Sequence, residues 1–272
     1  MAEHIEHLKD GIYEKVMSKE FADRLMEAIE AKKVWAERDD TDAYEATGYL
    51  SSYLEKLIRL CLKDIADRNT EAVLSDEIEL TNQLVEMLVE RLPDLGHGHS
   101  VVKNQFLLKS LEHVANKTSP RKWEYPDTSL TKSFLFTNSH NDTSMVSELR
   151  KEIMSADRID FLVSFIRFSG LALLLPYLRD FTNKGGHLRV ITTTYMGATD
   201  PKAVVELAKL PNTEIHISYN VKETRLHAKS YIFNRDSQFS TAYIGSSNLS
   251  HAAIAEGLES VSYTHLTLPT IR

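Results

Sequence analysis

Between Leu226 and Asn248 the sequence sets a histidine, a lysine, two serines and an asparagine at spacings suited to a phosphate. His227-Ala-Lys229 leads into a short apolar run, Ser230–Phe233, and a second run, Phe239–Ile244, follows a polar turn around Asn234, Arg235 and Asp236. Two such runs about a turn predict a hairpin. Residues two apart on a strand share a face, so His227 and Lys229 point the same way. The second strand delivers Gly245-Ser246-Ser247-Asn248, which opens onto a helix-like stretch, Leu249–Glu256. Free N–H groups at such a helix start favour an anion, typically phosphate. An imidazole, an ammonium, a hydroxyl and an amide thus converge where a phosphate could sit.

His-x-Lys alone carries little weight, since His7-Leu8-Lys9 matches it with no phosphate turn behind it. The joint pattern of His-x-Lys on a strand and Gly-Ser-x-Asn after a second strand resembles the signature of the phospholipase D superfamily. The longer run Thr192–Tyr195, Ala198–Pro201, Arg225–Lys229 and Ser240–Ser250 is similar to the phospholipase-D-like domain near the N-terminus of certain bacterial DEAD/DEAH-box helicases. The resemblance covers about residues 134–259.

It implies phosphodiester hydrolysis through a covalent phosphohistidine, with His227 as the nucleophile. Lys229 would hold phosphate oxygens as a point charge. Asn248 and Ser246, with Gly245 and Ser247 of the same turn, would donate to those oxygens as charge builds up. Glu259 matches the acidic residue that often follows, where a carboxylate could fix a histidine tautomer; a solvated acid is the competing reading. No metal or other cofactor is required by that scheme. The superfamily's site uses two His-x-Lys elements and this sequence has one credible copy, so a homodimer is implied. The implied substrate is nucleic acid, DNA foremost. The implied setting is an accessory domain of a helicase whose motor is missing here, since no Gly-x-x-x-x-Gly-Lys-Ser/Thr loop occurs. The superfamily usually has Asp five residues after the lysine, where this chain has Asn234. That departure keeps open a phosphate-binding module without turnover. Lipid hydrolysis lacks support, because no amphipathic surface helix rich in Lys and aromatics is found.

The elements that must position these residues are strands alternating with helices. The patterns predict a strand at Phe134–Phe136, a helix at Thr143–Ser155, and an apolar strand at Arg158–Ile166 suited to burial on both faces. A helix at Leu171–Phe181, ended by Gly185-Gly186, precedes a strand at Leu188–Thr193. A helix at Pro201–Leu210 and a strand at Glu214–Ser218 complete the series. This is an α/β sandwich with a largely parallel sheet. His216 alternates with Ile215 and Ile217 and so faces away from their core.

Before it, residues 1–115 read as all helical. Leu50, Leu54, Leu57 and Cys61 recur at helical spacing behind a cap at Asp42, a second helix runs from about Asp76 to Arg91, and a third covers Val101–Ala115. Cys61 on that stripe is expected to be a buried structural thiol. Residues 116–132 hold Pro120 and Pro126 and read as a linker, leaving 133–260 as the α/β domain. The run Val261–Thr270 resembles the one-frame translation of a transposon-end adapter used in making sequencing libraries. Residues 261–272 are therefore expected to be a non-native tail of a truncated fragment, adding nothing to the core and leaving an open sheet edge, with partial pairing by Val261 and Tyr263 permitted by their alternation alone.

Apolar content of 42% and charged content of 26% are those of an ordinary globular chain. No apolar run is long enough to span a membrane, and the start lacks a signal peptide. The single cysteine precludes an intramolecular disulfide and fits a reducing cytoplasm. The net charge of −7 is uneven: the first 115 residues are strongly acidic, and the remainder is slightly basic. A polyanion is expected on the second part.

Overall fold

The computed structural model describes residues 11–38, 42–68, 71–92, 98–104, 107–112, 123–136, 144–220, 226–256 and 261–266. It divides into two compact units, Met1–Lys109 and Ser110–Arg272.

The first unit contains α1 (Lys19–Glu30), α2 (Ala43–Asp67) and α3 (Val73–Arg91), and no strand among its described residues. Ser18 Oγ caps α1 by accepting from the Phe21 N–H at 3.3 Å. Asp42 Oδ1 caps α2 by accepting from the Glu45 N–H at 2.9 Å, as the sequence predicts. The apolar stripe of α2 stays in water: Leu50, Leu54 and Leu57 are exposed, and so is Cys61. The buried thiol expected there is thus corrected: no element among the described residues covers that face. The helix expected over Val101–Ala115 is also absent among its described residues. Asn82 of α3 takes the backbone of Val101 instead, accepting from its N–H at 2.7 Å and donating to its carbonyl at 3.1 Å. Of these two groups, the carbonyl is one that a helix starting there would use.

The second unit is a seven-stranded sheet with helices. Its elements are β1 (Phe134–Phe136), α4 (Met145–Ser155), β2 (Arg158–Val163), α5 (Phe168–Asn183), β3 (His187–Thr193), α6 (Pro201–Ala208), β4 (Thr213–Ser218), β5 (Lys229–Asn234), β6 (Ser240–Gly245) and β7 (Val261–Leu266). The order across the sheet is β1-β7-β6-β5-β2-β3-β4. Only β2–β3 and β3–β4 pair in parallel, so the sheet is less parallel than expected. The β5–β6 hairpin runs back against β2, and β7 and β1 continue the antiparallel half.

One face of this sheet carries the core. Ile159, Phe161, Val163, Leu188, Val190, Tyr231, Phe233 and Tyr243 are buried with Leu149 and Ile153 of α4, Leu171, Leu174 and Leu178 of α5, and Ala203 and Leu207 of α6. Phe161 meets Tyr231 edge to face at 5.1 Å between centroids, a preferred aromatic geometry. On β2 the buried residues alternate with half-exposed Asp160 and Leu162. The strand is therefore buried on one face, correcting the two-faced burial read from its apolar run.

The open edge expected after β6 is also corrected. Val261–Leu266 pairs with β6 over six residues and with β1 over three. Val, Tyr and Thr favour a pleated conformation whatever their origin, and their alternation permits a register.

Candidate functional site

Parallel sheets bind ligands outside the carboxyl ends of their strands, and the His-x-Lys element lies at that edge. Lys229 opens β5 opposite Val163, the last residue of β2. Just beyond, Ser164 donates from both its N–H (2.9 Å) and its Oγ (3.1 Å) to the carbonyl of Ala228. The residue between His227 and Lys229 is thereby pinned to the end of β2, which fixes the side on which both side chains emerge. His227 is exposed and Lys229 is buried at 8% exposure. The Lys229 Nζ lies 3.1 Å from His227 Nδ1 and 3.0 Å from Nε2. A neutral imidazole offers one in-plane lone pair, its other nitrogen carrying a hydrogen, so an ammonium equidistant from both nitrogens is not making two hydrogen bonds to the ring. Nζ also donates to the His227 carbonyl at 3.3 Å. The cation thus stands directly beside the imidazole.

The Gly-Ser-Ser-Asn turn comes to the same edge from β6. Tyr231, two residues beyond Lys229, donates from its hydroxyl to the Ser247 carbonyl at 3.0 Å. Asn248 is buried at 9% exposure, and its Oδ1 accepts from the Phe165 N–H at 3.3 Å. With the oxygen so occupied, the side-chain amide must present its NH2 elsewhere. That nitrogen has no protein partner among the described residues and is a ready donor to an anion. Gly245 and Ser246 are exposed, whereas Ser247 is buried with its Oγ lacking a hydrogen-bond partner.

The helix expected to begin at Leu249 does not. A single π-type turn, Ala252–Glu256, follows instead. Ser250 caps this turn, its Oγ accepting from the Ala253 N–H at 3.3 Å and its carbonyl from the Ile254 N–H at 3.1 Å. Glu259 lies outside the described residues, as does His7.

Two neighbours were not singled out in the sequence. Ser164 sits inside an apolar run, and its role depends on a carbonyl sixty-four positions away. Gly170, in the first turn of α5, faces Ser250 so closely that a Cβ would stand 2.6 Å from its backbone atoms. Arg167 N–H donates to the Leu249 carbonyl at 2.8 Å beside it. The start of α5 is thus packed onto the chain that follows Asn248, and only glycine permits the approach.

Asn234 stands at the opposite end of β5, opposite Arg158. Its Nδ2 donates to Asp160 Oδ2 at 3.0 Å, and Arg189 Nε donates to Asp160 Oδ1 at 2.8 Å. Asp160 supplies the carboxylate on this side, and an amide fits against it where a second carboxylate would repel. The adjoining Arg235 is not a solvated turn residue: it is buried and donates to the buried carboxylate of Glu152. Its remaining donors reach the Ser155 carbonyl and Oγ, the Phe239 carbonyl and Thr241 Oγ1. All five guanidinium N–H groups are used. Burial pushes the Glu152 carboxyl up from the usual range, opposed by Arg235 and by the Thr241 and Tyr243 hydroxyls that donate to it.

A separate cavity of about 770 Å³, bounded by Lys15, Phe21, Tyr49 and Tyr53, belongs to the helical unit and contains none of these groups. Among the described residues no cluster of His, Cys, Asp and Glu is arranged to hold a metal ion, and no helix is long and apolar enough to cross a membrane.

A one-face-covered mixed sheet with His-x-Lys and Gly-Ser-x-Asn at one edge is a phospholipase-D-like α/β fold, preceded here by a helical region. The family described as the NgoFVII restriction endonuclease N-terminal PLD domain matches residues 152–267, from within α4 to just past β7. No curated protein sequence matches the chain. Among solved structures, the chain resembles NucT from Helicobacter pylori at 20% identity and a TM-score of 0.40, over 50% of this chain and 86% of that one. It also resembles a polyphosphate kinase from Porphyromonas gingivalis (12% identity, TM-score 0.38, 50% and 24% of the two chains). A third is the yeast tyrosyl-DNA phosphodiesterase (12%, 0.35, 50% and 33%). The chain thus spans a third or less of the last two.

Proposed function

We propose that this chain is a phosphodiesterase acting on nucleic acid, DNA foremost, through a phosphohistidine at His227. The observation that carries the reading is the Lys229 ammonium beside the His227 imidazole, on the sheet edge to which Asn248 brings a donor amide. It is supported by the match to a restriction-endonuclease domain across the same residues.

In the first step an imidazole nitrogen attacks phosphorus. A P–N bond forms, the P–O ester bond breaks, and the leaving oxygen takes a proton from a second imidazolium. Lys229 holds the non-bridging oxygens as charge accumulates, and the Asn248 NH2 and the Gly245–Ser247 turn donate to them. Water, deprotonated by the second imidazole, then cleaves the P–N bond and restores both histidines. The scheme uses no metal ion. With one credible His-x-Lys per chain, the second histidine is supplied by another copy, so the working unit is a homodimer with coupled imidazoles. Glu259 holds one imidazole in its tautomer. The domain serves as the N-terminal accessory part of a DEAD/DEAH-box helicase in the cytoplasm. The competing reading is a phosphate-binding module without turnover, for which Asn234 in place of the usual aspartate speaks; that residue lies at the far end of β5, opposite Arg158.

The test is a mixing experiment on a DNA substrate with a chelator present. His227→Ala protein is expected to be inactive and to depress wild-type activity in mixed dimers. Full activity of a demonstrably monomeric protein, or of His227→Ala itself, refutes the mechanism.

A further inference from the structure

The rim that continues from the phosphate edge across β3 and β4 has a composition of its own. Among the described residues of the second unit, Met196 at 81% and Tyr219 at 73% are the two most exposed large apolar side chains. Both follow the carboxyl ends of strands, Met196 after β3 and Tyr219 directly after β4. Two cations join them there: exposed Arg167 precedes α5, and exposed Lys202 in the first turn of α6 holds its Nζ 3.8 Å from the Phe168 ring centroid.

This rim is held rigidly. Met196 has φ of 57°, a left-handed conformation that costs a side-chain-bearing residue energy unless its surroundings impose it. They do so through hydroxyls. Thr193 Oγ1 accepts from the Tyr195 N–H at 3.1 Å and donates to the Ser218 carbonyl at 3.0 Å, and Thr199 Oγ1 donates to the Thr193 carbonyl at 2.7 Å. Thr194 N–H donates to the Ser218 carbonyl at 3.1 Å. Asp200 N–H then donates to the Ile166 carbonyl at 2.8 Å, one residue from the Phe165 N–H that fixes Asn248. A continuous hydrogen-bonded path therefore joins the phosphate-facing amide to Met196 and Tyr219. Lys229 on β5 and Tyr219 after β4 are three strand spacings apart, roughly 14 Å.

We propose that Met196 and Tyr219, with Arg167 and Lys202, form a platform for single-stranded nucleic acid, on which bases next to the phosphate at His227 are laid. The inference rests on the phosphodiesterase reading of the edge and deepens it by naming the substrate form. Exposed flat or polarisable apolar groups fixed beside cations suit unpaired bases, which offer their π-faces whatever their identity. Paired bases are stacked within the duplex and present only edges and phosphates, for which Met196 and Tyr219 have no use.

The double variant Met196→Gly/Tyr219→Ala tests this, glycine being at ease at the φ of residue 196. Its melting temperature serves as the folding check, and Tyr219→Ala alone is the second variant should the pair fail to fold. Hydrolysis of bis(p-nitrophenyl) phosphate, too small to reach the platform, is expected to be unchanged. Binding of a short fluorescent oligonucleotide is measured with His227→Ala present in every protein to prevent cleavage. The single strand is expected to bind more tightly than the same strand annealed to its complement, and the variant to lose about tenfold or more in single-strand affinity alone. Unchanged single-strand affinity, or a duplex bound as tightly as the single strand, overturns the platform. If the parent protein fails to hydrolyse the small diester, the phosphodiesterase reading falls, and the binding arm still decides the platform by itself.

Discussion

The two ends of β5 put similar residue types to opposite uses. At Lys229 a cation is set beside an imidazole that reaches the surface, on the edge to which Asn248 brings an amide whose nitrogen has no partner among the described residues. At Arg235, one residue past the far end of the strand, a cation has every donor engaged and a buried carboxylate against it. Satisfied buried charge rigidifies, whereas polar groups left with capacity can act on something else. The contrast yields a separation: one end of the strand should govern activity and the other stability.

The largest effect expected is at the active end. His227→Ala should lower phosphodiesterase turnover by at least about 10⁴-fold, while its melting temperature stays near that of wild type because the side chain is exposed. A large drop in melting temperature would break the separation.

Arg235→Ala should do the reverse. It leaves Glu152 buried and unpaired, at a cost of about 3–5 kcal/mol, whereas replacing both members with apolar residues of similar volume should cost less. Losing the guanidinium raises the carboxyl further above its unfolded value. A raised folded pKa means stability is present below the ordinary carboxylate range and lost as pH rises through the folded value. Thermal melts of Arg235→Ala should therefore approach wild type in acid and fall behind it at neutral pH. A constant gap across that range would show that Glu152 stays ionised without its partner.

Between these in character, Gly170→Ala should affect both ends of the ledger between fold and function. The added Cβ meets Ser250 backbone at 2.6 Å, so either α5 or the chain after Asn248 must shift. Overpacking of this kind costs roughly 1–3 kcal/mol, and because Leu249 and Asn248 move with it, turnover should fall as well. Unchanged activity together with unchanged stability would mean that the contact yields freely.

The active end was the more legible one, and for a physical reason. His227, Lys229 and the Gly245–Asn248 turn lie within one hairpin, so alternation and turn residues over some twenty positions describe it. Arg235 read as a solvated turn because its partner Glu152 lies eighty-three positions away in α4, with nothing local to announce it. The same holds for Asn82, which takes the backbone of Val101 from nineteen positions away, where local pattern favoured a helix. The missing helix at Leu249 is a different case. Ser250 is a good cap residue, and it moved the start of the helical turn past the position that the motif assigns to it. Open sheet faces also escape a reading by apolar run, since Leu162 of β2 is apolar yet half-exposed.

The smallest effect concerns Asn234, where the superfamily usually carries aspartate. Restoring that residue should destabilise this chain rather than repair it. Asn234 donates to Asp160 at 3.0 Å; an aspartate there would set two carboxylates against each other. Like charges on neighbouring strands cost up to about 1 kcal/mol, and Arg189 at 2.8 Å from Asp160, with Arg158 at 4.0 Å, should keep the penalty near or below that figure. The deficit should shrink in acid, where the introduced carboxylate takes a proton and the repulsion is relieved. Asn234→Asp/Asp160→Asn restores one amide and one carboxylate and should recover most of the loss. Turnover per folded molecule should be the same in all of these proteins, because the proposed site lies at the other end of the strand. A melting series against pH, paired with turnover of a small diester, checks both parts. Higher turnover in Asn234→Asp would show that the far end of β5 does reach the chemistry, and the separation would fail there.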